Sequence, residues 1–275
     1  MGRERALVLG GGGLAGIAWQ TGVLFGLAEE GADVTGADLV IGTSAGAAVG
    51  AQLGSGLPLA ELYERQADPA KQNAELRPAG SSVDELMAKM AAAAEQTSDV
   101  TELRRQIGEL ALSADTPTEQ ARREVISARL PKLDWPAWLL YLVAVEVHTG
   151  ESIVFDRDSG VELVDAVAAS CAVPGAWPPV TIEDARYMDG GVRTFTNVDL
   201  AEGYERVLVI APMIEPNFPE QLAGLTGRSE SLRPDGESLA AFGTDVLDPA
   251  VRTPAARAGR AQGKRAAERV TALWR

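Results

Sequence analysis

Between Ala37 and Gly50 the chain reads ADLVIGTSAGAAVG, and this stretch constrains the rest more than any other. The apolar run Leu39-Val40-Ile41 enters Gly42-Thr43-Ser44-Ala45-Gly46, and small residues follow at helical spacing. That is G-x-S-x-G set between a strand and a helix, the context in which the pattern forms a nucleophile elbow. Such a turn tolerates almost no side chain at its flanks, which accounts for Gly42 and Gly46. Ser44 is left standing above the end of the sheet. The same letters also fit an ordinary glycine-rich turn with an incidental serine, so the motif needs company.

A second feature supplies it. Residues 6–10, ALVLG, read as a short buried strand, and Gly10-Gly11-Gly12-Gly13-Leu14-Ala15-Gly16 opens a helical segment running to about Glu30. A glycine loop at a helix start leaves unpaired N–H groups at the positive end of the helix dipole. It can bind a phosphate or hold the oxyanion of an acyl-transfer transition state. Gly11, Gly13 and Gly16 also satisfy the dinucleotide pattern G-x-G-x-x-G. That fold wants an acidic residue at the end of the second strand. Here the second strand ends in Gly42-Thr43-Ser44, with Asp33 and Asp38 before it. The oxyanion loop is the better reading.

Far downstream, residues 185–200 read ARYMDGGVRTFTNVDL, a strand-like run into Asp189-Gly190-Gly191. Alone, a carboxylate before two glycines is a plain turn. Just ahead of it lies ASCAVPGAWPPV, residues 169–180. With these four pieces in this order, the chain resembles the patatin-like phospholipase family. The matches are GGGLAG at Gly11 to Gly16, GTSAG at Gly42 to Gly46, the segment 169–180, and DGG at Asp189 to Gly191. The likeness covers about residues 5–60 and 140–212. Ala15 stands where the family usually has Arg or Lys, and Asp199 where a proline is common.

The resemblance implies a Ser–Asp dyad, Ser44 as nucleophile and Asp189 as the base that activates it, with the Gly11, Gly12 and Gly13 amides holding the oxyanion and Gly190 and Gly191 supporting the turn. An exposed aspartate, with a pKa of about 3.9, is a weak base toward a hydroxyl, and burial beside an apolar pocket would raise it. The single histidine, His148, precedes Asp189, whereas an α/β-hydrolase histidine follows its acidic partner. It reads as a strand-end residue beside a turn.

The net charge of −14 argues against nucleic acid as a partner. The lone Cys171 excludes an intramolecular disulfide and multi-cysteine metal sites. No metal or organic cofactor is expected. There is neither a signal-peptide pattern nor an apolar run long enough to span a membrane, so a cytoplasmic location is expected. From Ala250 to Arg275, seven basic side chains face only Glu268. From about Ala255 this segment reads as a basic helix. It would either touch an anionic membrane peripherally or pack Val270, Leu273 and Trp274 onto the body.

Residues 58–137 read as a helical insertion, with a helix opened by Ser82-Val83-Asp84-Glu85 and striped by Leu86, Met87 and Met90. Two more helices span Val100 to about Leu112 and Thr118 to about Leu130, and the whole is a natural cap over an acyl site. Residues 215–249, rich in Pro, Gly, Ser and acids, read as a long loop or mobile lid. The expected fold is a single domain over residues 1–275, a three-layer α/β/α sandwich of patatin type. Its strands are 6–10, 38–42, 140–147, 152–155, 186–188 and 206–211; its helices include 15–30, 45–56 and 161–170. The expected activity is acyl-ester hydrolysis on lipids. An inactive module of the same fold, holding an acyl chain or phosphate, is the alternative.

Overall fold

The computed structural model describes residues 3–78, Ala88 and residues 97–275. The expected helix at Ser82 to Met90 therefore lies outside the described residues. Five parallel strands form the frame: β1 (Arg5–Leu9), β2 (Leu39–Gly42), β3 (Leu139–Glu146), β7 (Arg206–Ile210) and β8 (Arg228–Leu232). They lie in the order β3-β2-β1-β7-β8. β4 (Ser152–Phe155) and β6 (Ala185–Asp189) join β3 antiparallel, and β5 (Val180–Ile182) pairs with β6. The strand order reverses beside β1, so the loop after it opens at a switch point, where α/β sheets bind ligands.

The inner strands are buried on both faces and read as unbroken apolar runs rather than alternating ones. Leu7 and Leu9 point to one core, Ala6 and Val8 to the other. The first core is covered by α1 (Gly13–Glu29), α2 (Ala45–Leu53), α6 (Leu163–Ser170) and α9 (Arg252–Trp274). The second is covered thinly by the 3-10 turn Val198–Ala201 and by α7 (Phe218–Ala223). The result is the expected helix–sheet–helix layering.

α1 is apolar nearly all round, as a helix buried on all sides must be. It lies between the sheet and α9, and glycines let the two helices touch. A Cβ on Gly22 would fall 2.2 Å from the Ala256 carbonyl oxygen, and one on Gly259 would fall 2.2 Å from that of Trp19. Gly26 and Gly263 make the same approach one turn further on. Val270, Leu273 and Trp274 are buried, the second of the two roles weighed for this segment. Four of its cations face acids: Arg260 and Lys264 meet Glu29, Arg265 meets Asp235, and Arg269 meets Glu230.

The stretch 58–137 contains α3 (Leu59–Ala67), α4 (Val100–Ser113) and α5 (Glu119–Arg129). Asp99 caps α4 by accepting the Thr101 and Glu102 N–H groups, and Thr118 caps α5 through Ala121 N–H. α3 lies on α1 and α9, whereas α4 puts Ile107 against Val145, Val147 and Met188 at the far end of β3. α5 packs on α6 and brings Arg122 and Arg129 to the site described below.

The reading of residues 215–249 as a loop is corrected. They hold α7, β8 and α8 (Gly236–Phe242), and β8 pairs with β7 along its whole length. β8 reads RSESL because an edge strand needs no apolar run. Only the part near Val246 and Leu247 borders the cleft.

Candidate active site

The register on β3 brings two distant side chains together. Gly42, the last residue of β2, pairs with Leu142, and Asp189, the last of β6, pairs with Ala144. Leu142 also pairs with Phe155 of β4, and Ala144 with Ile153 of the same strand. A residue reaches one neighbour on each side, so β2 and β6 share the edge of β3 opposite β4. One runs parallel to β3 and the other antiparallel. Their carboxyl ends therefore meet head-on, and Ser44 and Asp189 line one cleft.

Ser44 sits at φ 54°, a region costly for a side-chain-bearing residue and typical of a tight functional turn. Gly46 is obligatory: a Cβ there would fall 1.9 Å from the Leu9 carbonyl oxygen. The expected segment 169–180 grips both halves. Ser44 N–H donates to Ser170 Oγ at 3.1 Å, and Cys171 Sγ donates to the Ser44 carbonyl at 3.0 Å. Asp189 N–H donates to the Ala172 carbonyl at 2.9 Å. Burial pushes the Cys171 thiol up to about 12, so it acts as a neutral donor and not as a nucleophile.

Asp189 is 4% exposed. Burial pushes its carboxyl up to about 7, while the Ser44 hydroxyl, the Gly191 N–H and the Arg122 charge pull the other way. Oδ1 accepts the Gly191 N–H at 2.7 Å. Among the described residues Oδ2 has no hydrogen bond of standard geometry, yet the Ser44 hydroxyl is near enough to favour the carboxylate. Gly190 passes close under β3, where a Cβ would lie 2.2 Å from the Val143 carbonyl oxygen.

The glycine loop divides into two parts. Gly11 N–H is committed to the Phe195 carbonyl at 2.8 Å and is not free for a ligand, which corrects its expected role as a donor. Gly12 and Gly13 N–H groups have no partner among the described residues, and both glycines line the cleft with Ser44. Gly13 at φ +62° and Gly12 beside Pro212 leave no space for side chains. Gly42 and Gly191 stand in their expected turns, and Gly191 also lines the cleft.

Asn197 was not singled out from the sequence. It is buried at φ 52°, and its Nδ2 donates to Thr43 Oγ1 and the Thr194 carbonyl at 2.9 Å, with the Gly190 carbonyl at 3.3 Å. It ties the residue before Ser44 to the residue after Asp189. Asp199 forms a fork-to-fork pair with Arg193, which serves the same loop. His148 lies exposed in the β3–β4 turn, away from the cleft.

The cleft holds about 80 Å³, and most of its wall is apolar, including Val173, Val192, Phe195, Met213 and Leu247. A larger cavity of about 530 Å³ opens at the amino ends of the parallel strands near Arg3, Tyr141 and Tyr204. It contains neither Ser44 nor Asp189, so size does not decide the site. Among the described residues no cluster of His, Cys, Asp and Glu is arranged for a metal, and no helix is long and apolar enough to cross a membrane.

The architecture is thus that of an α/β protein with an elbow serine at the carboxyl ends of a parallel sheet and a buried aspartate opposite. The signature of the family described as patatin-like phospholipase matches residues 7–202, and the chain belongs to that family. The crystal structure of VipD from Legionella pneumophila aligns with a TM-score of 0.51 at 14% identity, over 97% of this chain and 67% of that one. The type III effector protein ExoU gives a TM-score of 0.44 at 18% identity, over 98% of this chain and 53% of that one. At 14% identity the likeness to VipD is one of fold. A comparison with curated protein sequences found no match.

Proposed function

We propose that this protein is a serine hydrolase that cleaves acyl esters of lipids through Ser44 and Asp189. The observation that carries the reading is the meeting of an elbow serine and a buried aspartate, raised to about 7, in one apolar cleft. A carboxyl near neutrality is matched to proton transfer at ordinary pH. Ser44 Oγ attacks the ester carbonyl while its proton passes to Asp189, and the carbonyl electron pair moves onto oxygen. Collapse of that intermediate expels the alcohol, which takes the proton back. Water, activated by the same carboxylate, then releases the fatty acid from Ser44.

The free amides of Gly12 and Gly13 hold the oxyanion, with Gly11 anchoring the loop through Phe195. One such donor is worth roughly 3–4 kcal/mol of barrier. The apolar wall favours an acyl chain as the group bound there. Labelling with a fluorophosphonate probe tests the nucleophile: the wild type reacts at Ser44 and Ser44→Ala does not. Fatty-acid release from a lipid panel should vanish in the same variant. A folded wild-type protein that neither labels nor releases fatty acid would refute the proposal.

A further inference from the structure

Beside Ser44 lies a second, smaller recess lined by two buried arginines, Arg129, which pairs with Glu75, and Arg122, which has no ion pair among the described residues. Gly13 and Leu14 at the start of α1, Ser44, Cys171, Trp177 and Arg122 all border it. It holds about 20 Å³, room for one oxygen-sized group or two. Arg122, on α5, is 3% exposed, and its guanidinium lies 3.8 Å from the centre of the Trp177 ring. Stacking on the indole face orients the planar fork and leaves its donor edge available. Neither Nε nor Nη1 has a hydrogen-bond partner among the described residues.

The surroundings make this deficit larger. Arg129, which also borders the recess, and Arg252 are buried, and the two share the single carboxylate of Glu75. Asp189, the other acid in this neighbourhood, is pushed toward neutrality by its own burial. Burial lowers Arg122 to about 9, and the Arg129 charge adds to that effect. A buried cation with unmet donors is costly until an anion reaches it. Leu14, in the first turn of α1, adds an unpaired N–H group and the positive end of a 17-residue helix to the same recess. Ala15 supplies no charge here, so the cation comes from a different element.

We infer that this recess is an anion subsite in which Arg122 binds a phosphate or carboxylate oxygen carried close to the scissile ester. The protein then selects negatively charged acyl esters over neutral ones. This rests on Ser44 being the nucleophile. The guanidinium binds substrate and takes no part in bond making.

The test compares kcat/KM for three esters with one acyl chain: an acylglycerophosphate, a monoacylglycerol, and an acyl ester bearing a carboxylate. In the wild type the charged esters lead. Arg122→Met, which removes the charge at similar volume, lowers the charged-to-neutral ratio about 10-fold or more, as expected for a lost charge-assisted hydrogen bond. Arg122→Lys restores part of it and serves in place of the methionine variant should that one fail to fold. The two charged esters tell phosphate from carboxylate. An equal fall on all three esters, with a displaced pH profile, would overturn the subsite and leave Arg122 acting through Asp189.

Thermal shift with inorganic phosphate separates this inference from the proposed function. If the wild type cleaves none of the esters but phosphate raises its Tm and not that of Arg122→Lys or Arg122→Met, the hydrolase reading fails and the subsite stands. No phosphate shift together with no charge preference overturns it.

Discussion

Ser44 and Asp189 face each other because their strands approach head-on along one edge of β3, with Gly42 opposite Leu142 and Asp189 opposite Ala144. Only Val143 separates those two partners, and Gly190 lies against its carbonyl. The pairing of charge and hydroxyl is thus set by sheet register and not by a flexible loop.

The first consequence concerns pH. A general base must be ionised, and Asp189 ionises around 7. Activity on a neutral ester should therefore rise with pH through about 7, with slope one on a logarithmic plot below it. A rate still flat down to pH 5 would show that the Asp189 carboxyl is not the titrating group.

Stability should move the opposite way. Burial raises the carboxyl from 3.8 unfolded to about 7 folded, so the folded state holds this proton more tightly. The contribution is fully present below the unfolded value and is lost as pH climbs through about 7. Asp189→Asn should therefore abolish activity yet raise stability at pH 8 by about 1–3 kcal/mol, with a smaller gain at pH 5. Urea denaturation at the two pH values measures it.

His148 gives a control on the dyad. It is exposed in a turn beyond the cleft, so His148→Ala should change kcat/KM by no more than about twofold, the usual scale for a surface substitution. A folded His148→Ala protein without activity would replace the dyad by a triad.

Glu75 lies 1% exposed between two buried arginines, 2.6 Å from Arg129 Nη2 and 3.8 Å from Arg252 Nη1. Glu75→Gln would leave both cations uncompensated, a loss of about 3–5 kcal/mol. Thermal unfolding should show this at neutral pH. A change under about 1 kcal/mol would mean that solvent reaches the trio.

How legible all this was depended on whether a residue's role shows in its own letters. Gly42 and Gly46 announce a backbone that admits no side chain, and the run before them announces a buried strand, so the elbow could be read directly. Val100 and Thr118 follow or supply ordinary caps, and their helices begin where the sequence places them. β8 escaped because its RSESL is an edge strand, which carries no apolar signature. Arg122 escaped because QARREVISAR looks like any solvated helix face, and only α5 docking on α6 buries it. Gly11 looked like its neighbours, and nothing in the letters assigns its N–H to Phe195. Asn197 left one faint signal, a residue tolerant of positive φ soon after the aspartate.

The seam between α1 and α9 was not read from the sequence; Gly22 with Gly26 and Gly259 with Gly263 form it, and it carries the last prediction. Glycines four apart on facing helices let backbones approach to contact. A methyl on Gly259 would fall 2.2 Å from the Trp19 carbonyl oxygen, which belongs to a rigid helix and cannot swing aside. The helices must then part, loosening Trp19 from its hydrogen bonds to Ser238 and Gln262. Gly259→Ala should cost about 2–4 kcal/mol even though alanine is the better helix former. Gly236→Ala is the matched control, since a Cβ there meets nothing within 4 Å, and it should be neutral or stabilising by up to about 1 kcal/mol. If urea unfolding gives both variants the same midpoint, the two helices do not touch as described.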